Sequence, residues 1–363
     1  MRRRWHAAAL VLLAACRLSD LSFYQPIDAG GTGAGSDAGI DAASDADAGP
    51  PPPQFPSCTG LQATCGAAPG DSCCTSLAVP GGIFFRNHDL ANNPPISGDT
   101  NHLATISSFR LDKYDVTVAR FRAFVTAPGV GTQLHPPDAN AGAHAQLPGS
   151  GWDASWNTSL EATTTDLIAN IKCSSDQTYT DVTVTAADDN RPMNCITWYE
   201  AMAFCIWDGG YLPTEAEWDY AAQGGNDQRA FPWSSPSGSL TIDSSYASYC
   251  PGGGNNCTGD GMLGCTVTDI VPVGTLAKGN GRWGHADLAG NLYQWLLDWD
   301  NGVYPTSCTD CANLTVPPGS SPARAMRAGA FVYDKDNLRS AGPSNGYPSM
   351  RNYIHGFRCA RPM

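Results

Sequence analysis

The chain has 363 residues with 39 Gly, 27 Pro and only 15% charged residues, which excludes a protein dominated by long regular helices and leaves a large, loop-rich core. A net charge of -13 removes nucleic acid as a partner, because an acidic surface repels phosphate backbones. Fourteen cysteines in a chain of this size point to an oxidising compartment.

The N-terminus supplies a route to that compartment. Arg2, Arg3 and Arg4 form a basic start, Ala7 to Leu13 an apolar run too short to span a bilayer, and Leu13-Ala14-Ala15-Cys16 a small-residue cleavage site of the bacterial lipoprotein kind. Residues 1–15 are therefore expected to be removed, with Cys16 lipidated and seated in a lipid bilayer, the domain lying outside the cytoplasm in the cell envelope of a bacterium, at the outer membrane. Residues 16–56 repeat Asp-Ala-Gly and end in Pro50 to Pro53, with too little apolar surface to offset chain entropy, so they read as a disordered tether. Residues 57–78 form a cysteine-rich strip in which Cys58, Cys65, Cys73 and Cys74 lack metal-knuckle spacing and are read as disulfides. Thirteen cysteines follow Cys16, an odd number, so at least one thiol stays unpaired or pairs outside the chain.

Residues 79–363 are the folded domain. Val79 to Arg86 reads as strand and turn, and Ala104 to Asp112 as one further strand. Thr117 caps a helix that turns Val118, Phe121 and Val125 inward. Residues 127–192 read as long surface loops pinned by Trp152 and Trp156. The densest signal lies between Met193 and Trp233. Thr197 with Glu200, and Thr214 with Glu217, are two capping boxes, each opening a short amphipathic helix, the first stopped by Gly209-Gly210 and the second by Gly224-Gly225. Glu215 and Glu217 then do no more than oppose the helix dipole, beside Asp219. Residues 226–282 return to loop, a turn at Ala289-Gly290-Asn291 precedes a strand of large apolar residues, and Ala325 to Tyr333 and Gly356 to Arg361 close the chain as strands. Cys308-Thr309-Asp310-Cys311 has no basic residue close in sequence and is read as a local structural disulfide. Gly342 to Gly346 fits the spacing of a nucleophile elbow, but Gly346-Tyr347-Pro348 denies it the helix that motif requires.

Seven of these stretches, in chain order Leu111–Thr117, Ile196–Ala201, Leu212–Trp218, Phe231–Trp233, Asp287–Trp295, Arg327–Phe331 and Gly356–Cys359, together resemble the formylglycine-generating enzyme, or sulfatase-modifying factor, family. The resemblance implies a C-type-lectin-like α+β fold with low regular secondary structure and several disulfides, one joining Cys205 to Cys359. The family's second bridge would need a cysteine at Ala222 and is absent. The family's enzymes hold copper(I) between two thiolates shortly after a Gly-Gly-Ser turn, which here reads Ala328-Gly329-Ala330; the thiolate positions fall at about Tyr333 and Leu338, where this chain has no sulfur. Copper is accordingly not expected, and the expectation is a non-catalytic binding or scaffold module; the alternative is a formylglycine-generating oxidase with a rearranged site. The resemblance also implies a calcium site at Gly290 to Trp295, where Asn291 and Gln294 are the candidate ligands although Gln294 replaces a carboxylate. Tyr333, Arg339, Tyr347, Arg351 and Tyr353 fall where the substrate groove would lie and suit a peptide or carbohydrate ligand of a monomeric protein.

Overall fold

The computed structural model describes residues 55–67, 70–91, 102–319 and 321–363; the signal sequence, Cys16 and nearly all of the expected tether lie outside them. The turn at Pro80-Gly81 and strand β2 (Gly82–Phe85) fall where the sequence predicts strand and turn, and a further strand, β1 (Ser76–Val79), precedes them at the end of the cysteine-rich strip. The strand expected over 104–112 is in fact two, β3 (Leu103–Ile106) and β4 (Phe109–Asp112), and they enter different sheets. The break has a local cause. The Ser107 amide and hydroxyl both donate to the Asp310 carboxylate (2.6 and 2.7 Å), and the Ser108 hydroxyl accepts from the Gly81 amide, so the ladder is diverted into side-chain bonds.

Among the described residues the α-helices are α1 (Val118–Thr126), α2 (Thr164–Asn170), α3 (Ala186–Asp189), α4 (Trp198–Trp207) and α5 (Glu215–Ala222). Thr117 caps α1, and both predicted capping boxes are formed, with each Glu returning a bond to its Thr amide at 2.9 Å. The stretch expected to be loop over 127–192 contains α2 and α3, each opened by a Thr cap, and Trp152 anchors it through an edge contact to Trp156, which in turn meets Trp198. Strands β5 (Tyr293–Asp300), β6 (Ser307–Thr309), β7 (Ala323–Arg327), β8 (Ser344–Gly346), β9 (His355–Gly356) and β10 (Ala360–Pro362) complete the domain. Among the described residues the strands pair in the orders β1-β4-β10, β2-β3-β6 and β8-β7-β5-β9.

Strand β5 is the structural spine. All of its residues but Asp300 are buried, which is why its sequence runs in large apolar groups rather than alternating. Both central helices hang on it by indoles: Trp198 Nε1 donates to the Leu296 carbonyl and Trp218 Nε1 to Gln294 Oε1, each at 2.7 Å. Arg324 of β7 adds a third tie, its guanidinium 3.6 Å from the ring centres of both Trp198 and Trp299.

Among the described residues six disulfides form: Cys58–Cys74, Cys65–Cys73, Cys173–Cys195, Cys205–Cys359, Cys257–Cys265 and Cys308–Cys311. The bridge from α4 to the C-terminus is the one implied by the resemblance, and the odd thiol is Cys250, the free cysteine among the described residues. Two buried arginine networks complete the frame. In the first, Arg120 of α1 pairs with Asp112 at the end of β4 (2.9 Å) and with Asp208 at the end of α4 (2.6 Å), and Arg361 of β10 contacts the same two aspartates. In the second, Arg358 donates to Gln294 Oε1, to Asp115 and to the carbonyls of Asp112, Lys113, Ala286 and Asp287, all at 2.8–3.1 Å.

Each network generates a prediction. Replacing Arg120 by Met leaves Asp112 and Asp208 buried with Arg361 alone, and should cost about 3–5 kcal/mol in urea unfolding; a cost below ~1 kcal/mol would mean the pairs are not closed in solution. Asp115 is wholly buried, with one carboxylate oxygen unpartnered, and burial outweighs Arg358 to push its pKa up to about 7. Its proton is thus held more tightly in the folded than in the unfolded chain, so this contribution to stability is present at low pH and is lost as pH rises through about 7. Asp115→Asn, which copies the protonated acid, should gain about 2–3 kcal/mol on wild type between pH 5 and pH 8. A difference between the two proteins that stays constant with pH would show that Asp115 is ionised throughout.

Candidate functional site

After β7 the backbone leaves the extended region at Ala328 (φ +87°) and Gly329 (φ +68°), which ends the strand six residues before the sequence predicts. The turn is sewn to the Gly290-Asn291 turn: the Gly290 amide donates to the Ala328 carbonyl (2.7 Å) and the Phe331 amide to the Asn291 carbonyl (3.0 Å). Both glycines are needed for closeness as well as for φ. A Cβ on Gly329 would lie 2.7 Å from the Asn337 carbonyl oxygen, and one on Gly290 2.5 Å from that of Ser248.

This double turn sets the positions at which the resemblance places copper thiolates. Tyr333 stands at the surface, 37% exposed, its ring edge-on to Tyr293 at 5.5 Å. Leu338 is fully buried in an apolar cluster with Phe231, Ala247, Tyr249 and Ala289. A phenol and a hydrocarbon side chain offer a soft cation nothing, and the space a second thiolate would use is filled. The residues present do not fit copper at these positions. One sulfur does approach from another direction: the Cys250 amide donates to the Tyr333 carbonyl at 2.8 Å, and the Cys250 side chain is sealed from solvent.

The expected groove residues divide. Tyr347 (48% exposed) and Tyr333 face solvent, and Tyr353 is half-buried against Phe331. The two arginines are not surface anchors, which corrects the sequence reading. Arg339 is buried and grips both oxygens of Asp89 at 2.7 and 2.6 Å, while Arg351 is held by Glu200, by Glu161 and by the Cys195 carbonyl. Their acidic partners lie 151 to 250 positions away in sequence, so no local pattern exposes the pairing.

The candidate calcium ligands are likewise engaged. Asn291 (φ +64°) uses its side-chain amide to pair both backbone groups of Val271, at 3.1 and 3.0 Å. Gln294 gives its oxygen to Trp218 and to the Arg358 guanidinium and its nitrogen to the Asp287 carbonyl. A cation at that oxygen would meet a guanidinium 2.8 Å away, so these two side chains do not fit a calcium ion as they stand.

Sequence reasoning missed a buried acid and guanidinium cluster that joins α5, β7 and the residue after β2. Glu215 sits between Arg86 (3.0 Å) and Arg327 (2.5 Å) and accepts from the Tyr304 hydroxyl, and Asp219 lies 3.4 Å from Arg327. Burial opposes the Glu215 charge, but Arg327 and Arg86 outweigh it and hold this carboxylate below its ordinary range. Burial pushes Asp219 up to about 6, and burial together with Glu215 does the same to Asp298. Glu217, the third acid of α5, bonds His144, Tyr211 and the Thr214 amide instead. These acids are core ion partners as well as helix-dipole partners. Arg86, Glu215, Asp298, Tyr304 and Cys311 line a cavity of about 140 Å³. Arg86 Nη1 is 3.7 Å from Cys311 Sγ, so a basic group does stand beside the Cys308–Cys311 bridge, brought there by β2 rather than by sequence proximity. Ser344 of the elbow-like stretch lies on β8, hydrogen-bonded in register with Met326 of β7.

Comparison with known proteins agrees with this geometry. The sulfatase-modifying factor enzyme 1-like domain matches residues 62–363. A formylglycine-generating enzyme of Streptomyces coelicolor is 29% identical over 302 residues, covering 78% of this chain and 88% of its own length. Hercynine oxygenase of Mycolicibacterium smegmatis is 26% identical over 296 residues, 78% of this chain and 58% of that protein. The structure of PvdO from Pseudomonas aeruginosa superimposes with a TM-score of 0.51 at 20% identity over 79% of this chain and 94% of PvdO, a likeness of fold. With the double turn, the capped helix pair and the Cys205–Cys359 bridge all in place, the chain belongs to the sulfatase-modifying factor family.

Proposed function

We propose that this chain is a lipid-anchored, extracytoplasmic member of the family that does not generate formylglycine and serves as a binding or scaffold module. The observation that carries the reading is the replacement of both thiolate positions, Tyr333 by a ring packed on Tyr293 and Leu338 by a side chain sealed in an apolar cluster. Lipidation of Cys16 and the tether would hold the module off the surface of the outer membrane, and six disulfides suit that compartment. The face bearing Tyr333 and Tyr347, two exposed phenols able to stack and to donate, is where a peptide or carbohydrate would dock on the monomeric domain.

The rival is an oxidase with a rearranged site built on Cys250, and its support is the bond between the Cys250 amide and the Tyr333 carbonyl. Against it stands burial. An oxidase of this kind must bring a substrate thiol to its own sulfur, and the Cys250 side chain is enclosed. The decisive measurement is a Cu(I) titration of the oxidised domain, with mass analysis of a cysteine-containing sulfatase-type peptide incubated with it in air. The module reading expects no stoichiometric tight copper binding and an unchanged peptide mass. Conversion of the peptide cysteine to an aldehyde would sink it.

A further inference from the structure

The odd thiol of the chain is not isolated. Cys250 Sγ lies 3.9 Å from Cys265 Sγ, and the sulfurs of Cys250, Cys257 and Cys265 all fall within 4.8 Å of one another. The approach is built by the backbone: Gly252, Gly253 and Gly254 all take positive φ, and the chain doubles back through Asn256, which bridges to Gly264. The Gly254 carbonyl oxygen sits 3.5 Å from both the Cys250 and the Cys265 sulfur. Access is graded. Cys250 and Cys257 are buried and Cys265 is partly exposed, so a thiol arriving from solvent meets Cys265 first.

We propose that Cys250, Cys257 and Cys265 form a thiol–disulfide exchange site, with two alternative pairings that share Cys265 and with small or peptide thiols as the reacting class. An external thiolate attacks Cys265 Sγ; the new sulfur–sulfur bond forms as the Cys257–Cys265 bond breaks, and Cys257 leaves as thiolate. The Cys250 thiol gives its proton to the departing Cys257 thiolate and, as thiolate 3.9 Å away, attacks Cys265 Sγ, forms Cys250–Cys265 and returns the external thiolate. No net oxidant or reductant is consumed. The bridge moves by one partner, and the free thiol moves from Cys250 to Cys257. Cys250 is tied to the surface that bears Tyr333 through its amide, and the nearby Gly252 amide donates to Asp334 Oδ2 at 2.6 Å, so the change of pairing reaches the face where a ligand would dock. The exchange itself does not depend on the module reading, since it concerns sulfurs that the family's chemistry does not use.

The full chain, secreted into an oxidising compartment, tests this in two ways. In Cys257→Ser the two remaining sulfurs should be found joined as Cys250–Cys265 by peptide mapping after blocking at acid pH; a folded variant carrying both as free thiols overturns the proposal. The second experiment uses wild-type protein, so it does not rest on a variant folding. Incubation with reduced glutathione, followed by alkylation, should shift label from Cys250 to Cys257 with no glutathione left on the chain, whereas in Cys250→Ser, where nothing resolves the mixed disulfide, label on Cys257 should come with glutathione on Cys265. Label that stays on Cys250 alone, or that appears on Cys257 and Cys265 together as simple reduction would give, overturns it.

Discussion

The interaction on which the rest depends is the closed square of Arg120, Arg361, Asp112 and Asp208. It gathers the end of β4, the first turn of α1, the end of α4 and the last strand into one buried point, and Ser57 joins it through its amide to Asp208 and its hydroxyl to Arg120. Four charges without solvent are tolerable because all four aspartate oxygens have donors, three from guanidinium nitrogens and one from the Ser57 amide, although Arg361 Nε is left without a partner; the whole set is costly if one member is missing. A fold with short strands and few long helices has little backbone ladder to hold it, so such fixed polar points take over the work of register. Arg358 does the same nearby, where its guanidinium donates to the carbonyls of Asp112, Lys113, Ala286 and Asp287 and so ties two separate stretches of backbone to one side chain.

What could be read from the sequence follows from range. The capping boxes at Thr197 and Thr214, the cap at Thr117 and the apolar run of β5 are written within a few residues of where they act, and all formed. The split of β3 from β4 depends on Asp310, some two hundred positions downstream, and could not be read at Ser107 and Ser108. The same holds for the candidate site. Tyr333 and Leu338 were placed by counting from a turn, whereas the fates of Arg339, Arg351, Glu215 and Asp219 turn on partners far off in the chain. An arginine near a groove and an arginine beneath it carry the same local sequence.

The separation between what fixes the fold and what would carry chemistry is physical. The turn at Ala328-Gly329 is held by backbone bonds to Gly290 and Asn291, none of which involves the Tyr333 or Leu338 side chains, while the Leu338 side chain fills the space beside Gly329 and Gly290. Sulfur at those two positions can therefore be exchanged for a ring and a hydrocarbon without disturbing the frame, and Leu338 adds apolar burial where a metal ligand would have added none. Membership of the family rests on the frame. Activity rests on side chains the frame does not need.

The disulfides divide along the same line. Cys205–Cys359 spans 154 positions, and on chain-entropy grounds it restrains the unfolded chain by about 5 kcal/mol, against about 2.5 kcal/mol for Cys257–Cys265, which spans 8. Moving the second bridge to Cys250 lengthens the closed loop from 8 to 15 positions, a change of about 0.6 kcal/mol in the same account. The two pairings are thus close in chain entropy, and the loop can change partners while the long bridge and the arginine networks stay as they are. A sulfur trio that would endanger the fold if it were part of the Cys205 frame is tolerable in a loop, because there the pairing decides only local backbone, at the edge of the surface that bears Tyr333.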